Sequence, residues 1–196
     1  MKSKCFNNVI LIVLMFVAST TMSNAQTFGI RGGFNTSNIS FSNLPDRSER
    51  YGFHLGVFAD VPITSGFMAI EPELSYSVKG ATFKYTNVSQ TLTLNYIDFL
   101  LPLVFKIDAF DLKVGPYAAY LVSTPDYAFT TSTTVMVDAF NKVDAGLTAG
   151  LAYNFIKLSV GVRYNQGLVN ITTETSRPFM GDGKNAVGQV SLGYKF

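Results

Sequence analysis

The stretch Val143–Gly167, VDAGLTAGLAYNFIKLSVGVRYNQG, decides the fold. In its first half Ala145, Leu147, Ala149, Leu151, Tyr153 and Phe155 alternate with Asp144, Gly146, Thr148, Gly150 and Asn154. In its second half Leu158, Val160, Val162 and Tyr164 alternate with Ser159, Gly161, Arg163 and Asn165. A period of two over such lengths marks β-strands. Only the residues NFIK, 154–157, join the two.

The same pattern recurs along the chain. It is found in TFGIRGGFNTS (27–37), YGFHLGVFADV (51–61), FMAIEPELSYSVKG (67–80), NYIDFLLPLVFKI (95–107), DLKVGPYAAYLV (111–122) and VGQVSLGYKF (187–196). That makes eight strands. Pro72, Pro102 and Pro116 fall inside three of them and predict local bulges, because proline cannot donate to a ladder.

The connectors alternate in length. PITSG (62–66), DAF (108–110) and NFIK (154–157) are tight. Residues 38–50, 81–91, 123–140 and 172–185 read as long polar loops. All short turns then lie at one end and all long loops at the other, as in an all-β, eight-stranded, antiparallel up-and-down transmembrane barrel with external loops.

The faces decide the solvent. One face is nearly pure Leu, Val, Ile, Phe and Tyr. The other mixes Gly and Ser with Arg31, Asp60, Glu71, Glu73, Asp98, Lys113, Asp144 and Arg163. A water-facing surface would carry Lys and Glu densely. Small residues beside isolated charges suit a narrow interior, so the apolar face points to lipid. Only 14% of residues are charged, against about 25% in typical globular chains. Tyr51, Tyr153 and Tyr194 fall near strand ends, where aromatic girdles sit.

The front of the chain reads as a secretory leader over residues 1–25. Lys2 and Lys4 precede the apolar run Val9–Ala18, and Ser23 and Ala25 are the small residues before a cut at Gln26. The run is too short to span a bilayer. Removing it takes away two lysines and no acids, which turns a formal charge of +2 into zero. Nothing then points to a nucleic-acid partner. The only cysteine, Cys5, goes with the leader, and His54 is the only histidine. A Cys/His metal site cannot be assembled from these residues. No cofactor is expected.

Catalytic motifs are sparse. Glu71 and Glu73 face the lumen two residues apart, which suits acid–base work. They suit equally an ion network with Arg31, Asp98 and Arg163 that holds a narrow barrel together, and the network is the expected reading. No nucleophile motif surrounds the serines near His54. GIRGGFN (29–35) lies within a strand and opens no helix, so it is no phosphate loop. The chain is expected not to be an enzyme.

The stretches FGIRGGFNTSNIS (28–40), NYIDFLLPLVFKI, LKVGPYAAYLVS (112–123), GLVNI (167–171) and VSLGYKF (190–196) together resemble the PorT-like small outer-membrane β-barrels of Bacteroidota. The resemblance spans the chain from about residue 27 onward and rests on barrel grammar more than on chemistry. It implies a bacterial outer-membrane location, with lipid and the barrel-assembly machinery as partners. It also implies a surface protein or ligand at the external loops. Val190, Leu192, Tyr194 and Phe196 resemble the terminal signal by which such barrels are recognised for assembly. The implied role is structural or surface-binding. The alternatives are an accessory part of a secretion system and, further off, a small-solute channel or a membrane-embedded hydrolase.

Overall fold

The computed structural model describes residues 26–41, 47–64, 66–85, 88–123 and 140–196. The predicted leader and most of the loop at 123–140 lie outside the described residues. The strands are β1 (Thr27–Phe41), β2 (Arg47–Ser48), β3 (Arg50–Thr64), β4 (Met68–Ile70), β5 (Glu73–Tyr85), β6 (Val88–Leu100), β7 (Leu103–Ile107), β8 (Phe110–Ser123), β9 (Val143–Phe155), β10 (Leu158–Gly167) and β11 (Gly183–Lys195). A single short helix among the described residues, α1 (Arg177–Met180), precedes β11.

These pieces make eight staves, because β2 and β3, β4 and β5, and β6 and β7 are each one stave with an interruption. Every stave pairs antiparallel with its sequence neighbours, and β11 pairs with β1 from Gly29↔Lys195 to Phe41↔Gly183. The ring therefore has no free edge, which is the condition for a sheet to live in lipid.

The prolines explain two of the interruptions. Pro72 follows β4, and Pro102 follows β6. At this level the Pro72 carbonyl accepts from Ala59 N at 3.0 Å, Pro102 O from Glu71 N at 3.0 Å, and Pro116 O from Leu101 N at 3.1 Å. Each proline keeps its acceptor while lacking the donor, so the ladder breaks without opening the wall. Pro116 stays within β8, paired with Leu147.

At the turn end, β7 and β8 join through Asp108–Ala109, and β9 and β10 through Ile156–Lys157. Asp108 and Ile156 take positive φ, 51° and 52°. Asp tolerates this region, whereas a β-branched Ile in it is an outlier.

Two of the four expected long loops prove to be mostly wall. β1 continues to Phe41 and β2 begins at Arg47, while β5 and β6 pair as far as Tyr85↔Val88. The reason is a change of solvent along the staves. In the belt, Phe28, Ile30, Phe34, Leu55, Val57, Leu192 and Tyr194 point outward and are exposed. Nearer the loop end the phase inverts. Ile39, Ala81, Leu92 and Leu94 face inward and are buried, while Ser40 and Thr91 face out and are exposed. A barrel wall that leaves lipid for water must turn its polar face outward. The strand continues, although the apolar-outward pattern does not.

The ladder between β3 and β5 also breaks. It runs from Phe58↔Glu73 to His54↔Ser77 and resumes only at Ser48↔Thr82. Gly80 takes φ +146° in the gap, and a Cβ there would lie 1.9 Å from Leu92 O. Side chains of β1 fill the break. Asn35 Nδ2 donates toward Phe53 O at 3.0 Å and Val78 O at 3.1 Å, and Ser37 Oγ donates to Gly80 O at 3.1 Å. Asn35→Leu strands buried carbonyls and is expected to cost about 1–3 kcal/mol. Urea titration of protein refolded into detergent micelles reads this as a lower midpoint at unchanged slope.

Candidate functional site

The inward-facing side chains lie in tiers. At the turn end Lys106 Nζ donates to both oxygens of Asp60, at 2.9 and 2.7 Å. Lys195 Nζ lies 3.7 Å from Asp60 and 3.8 Å from Asp111, and donates to Asn154 Oδ1 at 3.1 Å.

The next tier is the centre of the network. β5 brings Glu73 in and the Pro72 break sets Glu71 beside it. β1 brings Arg31, β8 Lys113 and β10 Arg163. Arg163 Nη1 and Nη2 fork onto Glu73 at 2.8 and 2.9 Å, and Nε donates to Gln189 Oε1 at 2.8 Å. Arg31 bonds Glu73 through Nη1 and Glu71 through Nη2, the latter at 2.9 Å. Lys113 Nζ holds both oxygens of Glu71, at 2.8 and 2.6 Å. Phe58 reaches inward, and the Arg31 guanidinium lies 4.4 Å from its ring centre. Glu71 and Glu73 are 0% and 1% exposed. Carboxylates buried so deeply persist as ions only because each is gripped by two cations.

The structure brings Arg31, Glu71, Glu73 and Arg163 together. Asp98 does not join them. The register Ser75↔Asp98 puts it one tier up, where Lys79 Nζ donates to it at 2.9 Å. That ammonium also lies 4.8 Å from the Tyr96 ring and 5.3 Å from the Tyr117 ring. Lys79, Lys113 and Phe58 share the inner parity of their strands, but alternation alone does not say which partner each reaches.

His54 lies inside, with Nδ1 2.7 Å from Asn35 Oδ1. That oxygen also accepts from Gln189 Nε2 at 2.9 Å. Because Asn35 Nδ2 is turned to the backbone carbonyls, the His54 proton is assigned to Nδ1. Among the described residues Nε2 has no hydrogen-bond partner.

Above this, Asp144 Oδ2 accepts from Tyr117 OH at 3.1 Å and Asn185 Nδ2 at 2.9 Å. An apolar cluster then caps the lumen: Ile39, Leu92, Leu94 and Leu121 with Phe140 and Ile171. Asn141 pins the cap, taking Ile171 O by its own N–H at 2.7 Å and Asn170 O through Nδ2 at 3.0 Å.

Val190, Leu192 and Tyr194 on β11, with Phe196 just past its end, form one exposed outward row. Phe196 N donates to Phe28 O at 2.9 Å.

A closed antiparallel ring with an apolar outer belt and gripped charges within defines a transmembrane β-barrel. The chain belongs to the outer membrane protein beta-barrel domain family, whose family model matches residues 22–173. Its place is the bacterial outer membrane. No curated protein sequence matches it. Among solved structures it is similar to Ail, the attachment invasion locus protein of Yersinia pestis, at 12% identity. That match covers 87% of this chain and 98% of Ail, with a TM-score of 0.46. Neisserial surface protein A aligns at 15% identity over 86% of this chain and 97% of its own, with a TM-score of 0.49. The outer membrane enzyme PagL aligns at 13% identity over 88% and 99%, with a TM-score of 0.42.

Proposed function

We propose that this protein is a non-enzymatic barrel with a structural or surface-interaction role, of the PorT-like kind found in Bacteroidota and exported by a leader over residues 1–25. The observation that supports this most is the filled lumen. Charge tiers occupy its lower part and the Ile39–Ile171 cluster its loop end. Eight-stranded barrels hold about enough room for their own side chains. The paired carboxylates Glu71 and Glu73 are each held by two cations, with their oxygens taken up inside the barrel. What remains for recognition is the outside. The strand-built rim carries Thr36, Ser40 and Thr91 on its outer face and suits contact with a surface protein or ligand beyond the lipid. The outward row Val190, Leu192, Tyr194 and Phe196 is the stretch offered to the barrel-assembly machinery.

Planar bilayer recording tests the closed-lumen role. Purified protein is expected to give no steady conductance. A stable open level of porin size would contradict the reading and favour a channel.

A further inference from the structure

A cavity of about 20 Å³ lies beside the central tier. Its polar lining is Arg31, Lys113, Arg163, Ser159 and Ser191, and Gly150, Ala152 and Gly161 supply the space. We propose that this cavity binds one small monovalent anion of halide size.

The charge balance points this way. The tier's own ion pairs set three cations, Arg31, Lys113 and Arg163, against two carboxylates, Glu71 and Glu73. In the neighbouring tiers Asp98 is taken up by Lys79 and Asp111 lies nearest Lys195, while Asp144, held by neutral donors further up, offsets the excess only from a distance. Both carboxylates face the cations from the β5 side, and no carboxylate lines the cavity among the described residues. A surplus buried positive charge is costly unless an anion lies close to it.

Donor supply points the same way. Each terminal nitrogen of Arg31 and Arg163 carries a second N–H beyond the one given to Glu71 or Glu73, and Lys113 has a third. Two serine hydroxyls add to these. A site rich in donors and poor in acceptors suits an anion better than water, which asks for acceptors as well. The volume is enough for a single water-sized or halide-sized occupant.

The sequence builds the cavity deliberately on one side. β9 and β10 place Gly150, Ala152, Ser159 and Gly161 inward, beside Lys113 of the neighbouring β8, whose register partner is Gly150. Larger residues there would close the space that the cations face.

The test is refolding from urea into detergent in sodium chloride and, separately, in sodium gluconate of equal ionic strength. Gluconate is too large for the cavity, so general screening is matched. The wild-type thermal midpoint is expected to rise with chloride and to stay flat with gluconate. The double variant Ser159→Ala, Ser191→Ala keeps all five charges. It is expected to need about tenfold more chloride for half of the effect, since hydrogen bonds to a charged group are being lost. Crystals grown from bromide should show one anomalous peak between Lys113 and Ser191. Equal midpoints in the two salts, or an unchanged chloride response in the double variant, would overturn the proposal. So would a bromide-free cavity in crystals grown at saturating bromide.

Discussion

Glu73→Gln is expected to lower barrel stability by about 3–5 kcal/mol, the usual cost of removing one partner from a buried ion cluster. Glu73 takes three contacts from two arginines and is almost wholly buried. The amide keeps one acceptor oxygen, but its NH2 now faces the guanidinium groups and the charge is gone, which leaves Arg163 its hydrogen bond to Gln189 and Arg31 its ion pair with Glu71. Urea unfolding in detergent should show the midpoint fall with little change in slope. Adding Arg163→Met to Glu73→Gln should recover part of the loss, because the stranded charge goes with it. A control at Lys157, exposed in the turn between β9 and β10, should leave the midpoint nearly unchanged when changed to Leu. If the double variant is no more stable than Glu73→Gln, Arg163 is not the charge that suffers.

The second large effect lies on the opposite face. Leu192 is 64% exposed, between Val190 and Tyr194 on the outward row of β11. Its register partners Gly32 and Val160 place it well inside the apolar belt. Leu192→Arg should therefore cost about 2–4 kcal/mol in lipid, the range for a basic side chain near the midplane. Ser40→Arg, exposed on the outer face of the rim, should cost close to nothing. In a water-soluble barrel the two substitutions would be equally mild. Refolding yield and urea midpoint in lipid bilayers separate the cases.

The faces were legible in the sequence because a strand assigns them by parity alone. Arg31, Glu71, Glu73 and Arg163 share the inner parity of their staves, and that requires no knowledge of neighbours. Partner choice does require it. Asp98 shares the inner parity too, yet the register Ser75↔Asp98 sets it one tier from Glu73, where the long Lys79 side chain reaches back to it. Alternation carries no information about stagger. The reading of residues 38–50 and 81–91 as loops failed for a different reason. Apolar-outward alternation was the sign of a strand, and TLTLNY (91–96), which leads from the second of these stretches into the expected strand at 95, alternates cleanly with the opposite phase. Leu92, Leu94 and Tyr96 all point inward and are buried. Period two without regard to phase would have found that stretch. The Asn35 and Ser37 contacts to the β3–β5 break had no such signal, since two small polar residues in a strand look like any lumen lining.

Lipid against the apolar outer belt underlies both the closed lumen and the cost at Leu192, and the chain contains no tryptophan to obscure a probe placed there. A single tryptophan placed at Leu192 and, in a second protein, at Ser40 can be refolded into bilayers whose acyl chains carry bromine. Fluorescence at position 192 should be strongly quenched by the brominated chains and shifted to the blue, while that at position 40 should be neither. Equal quenching at the two positions, or quenching at 40 and not at 192, would contradict an apolar belt that faces outward.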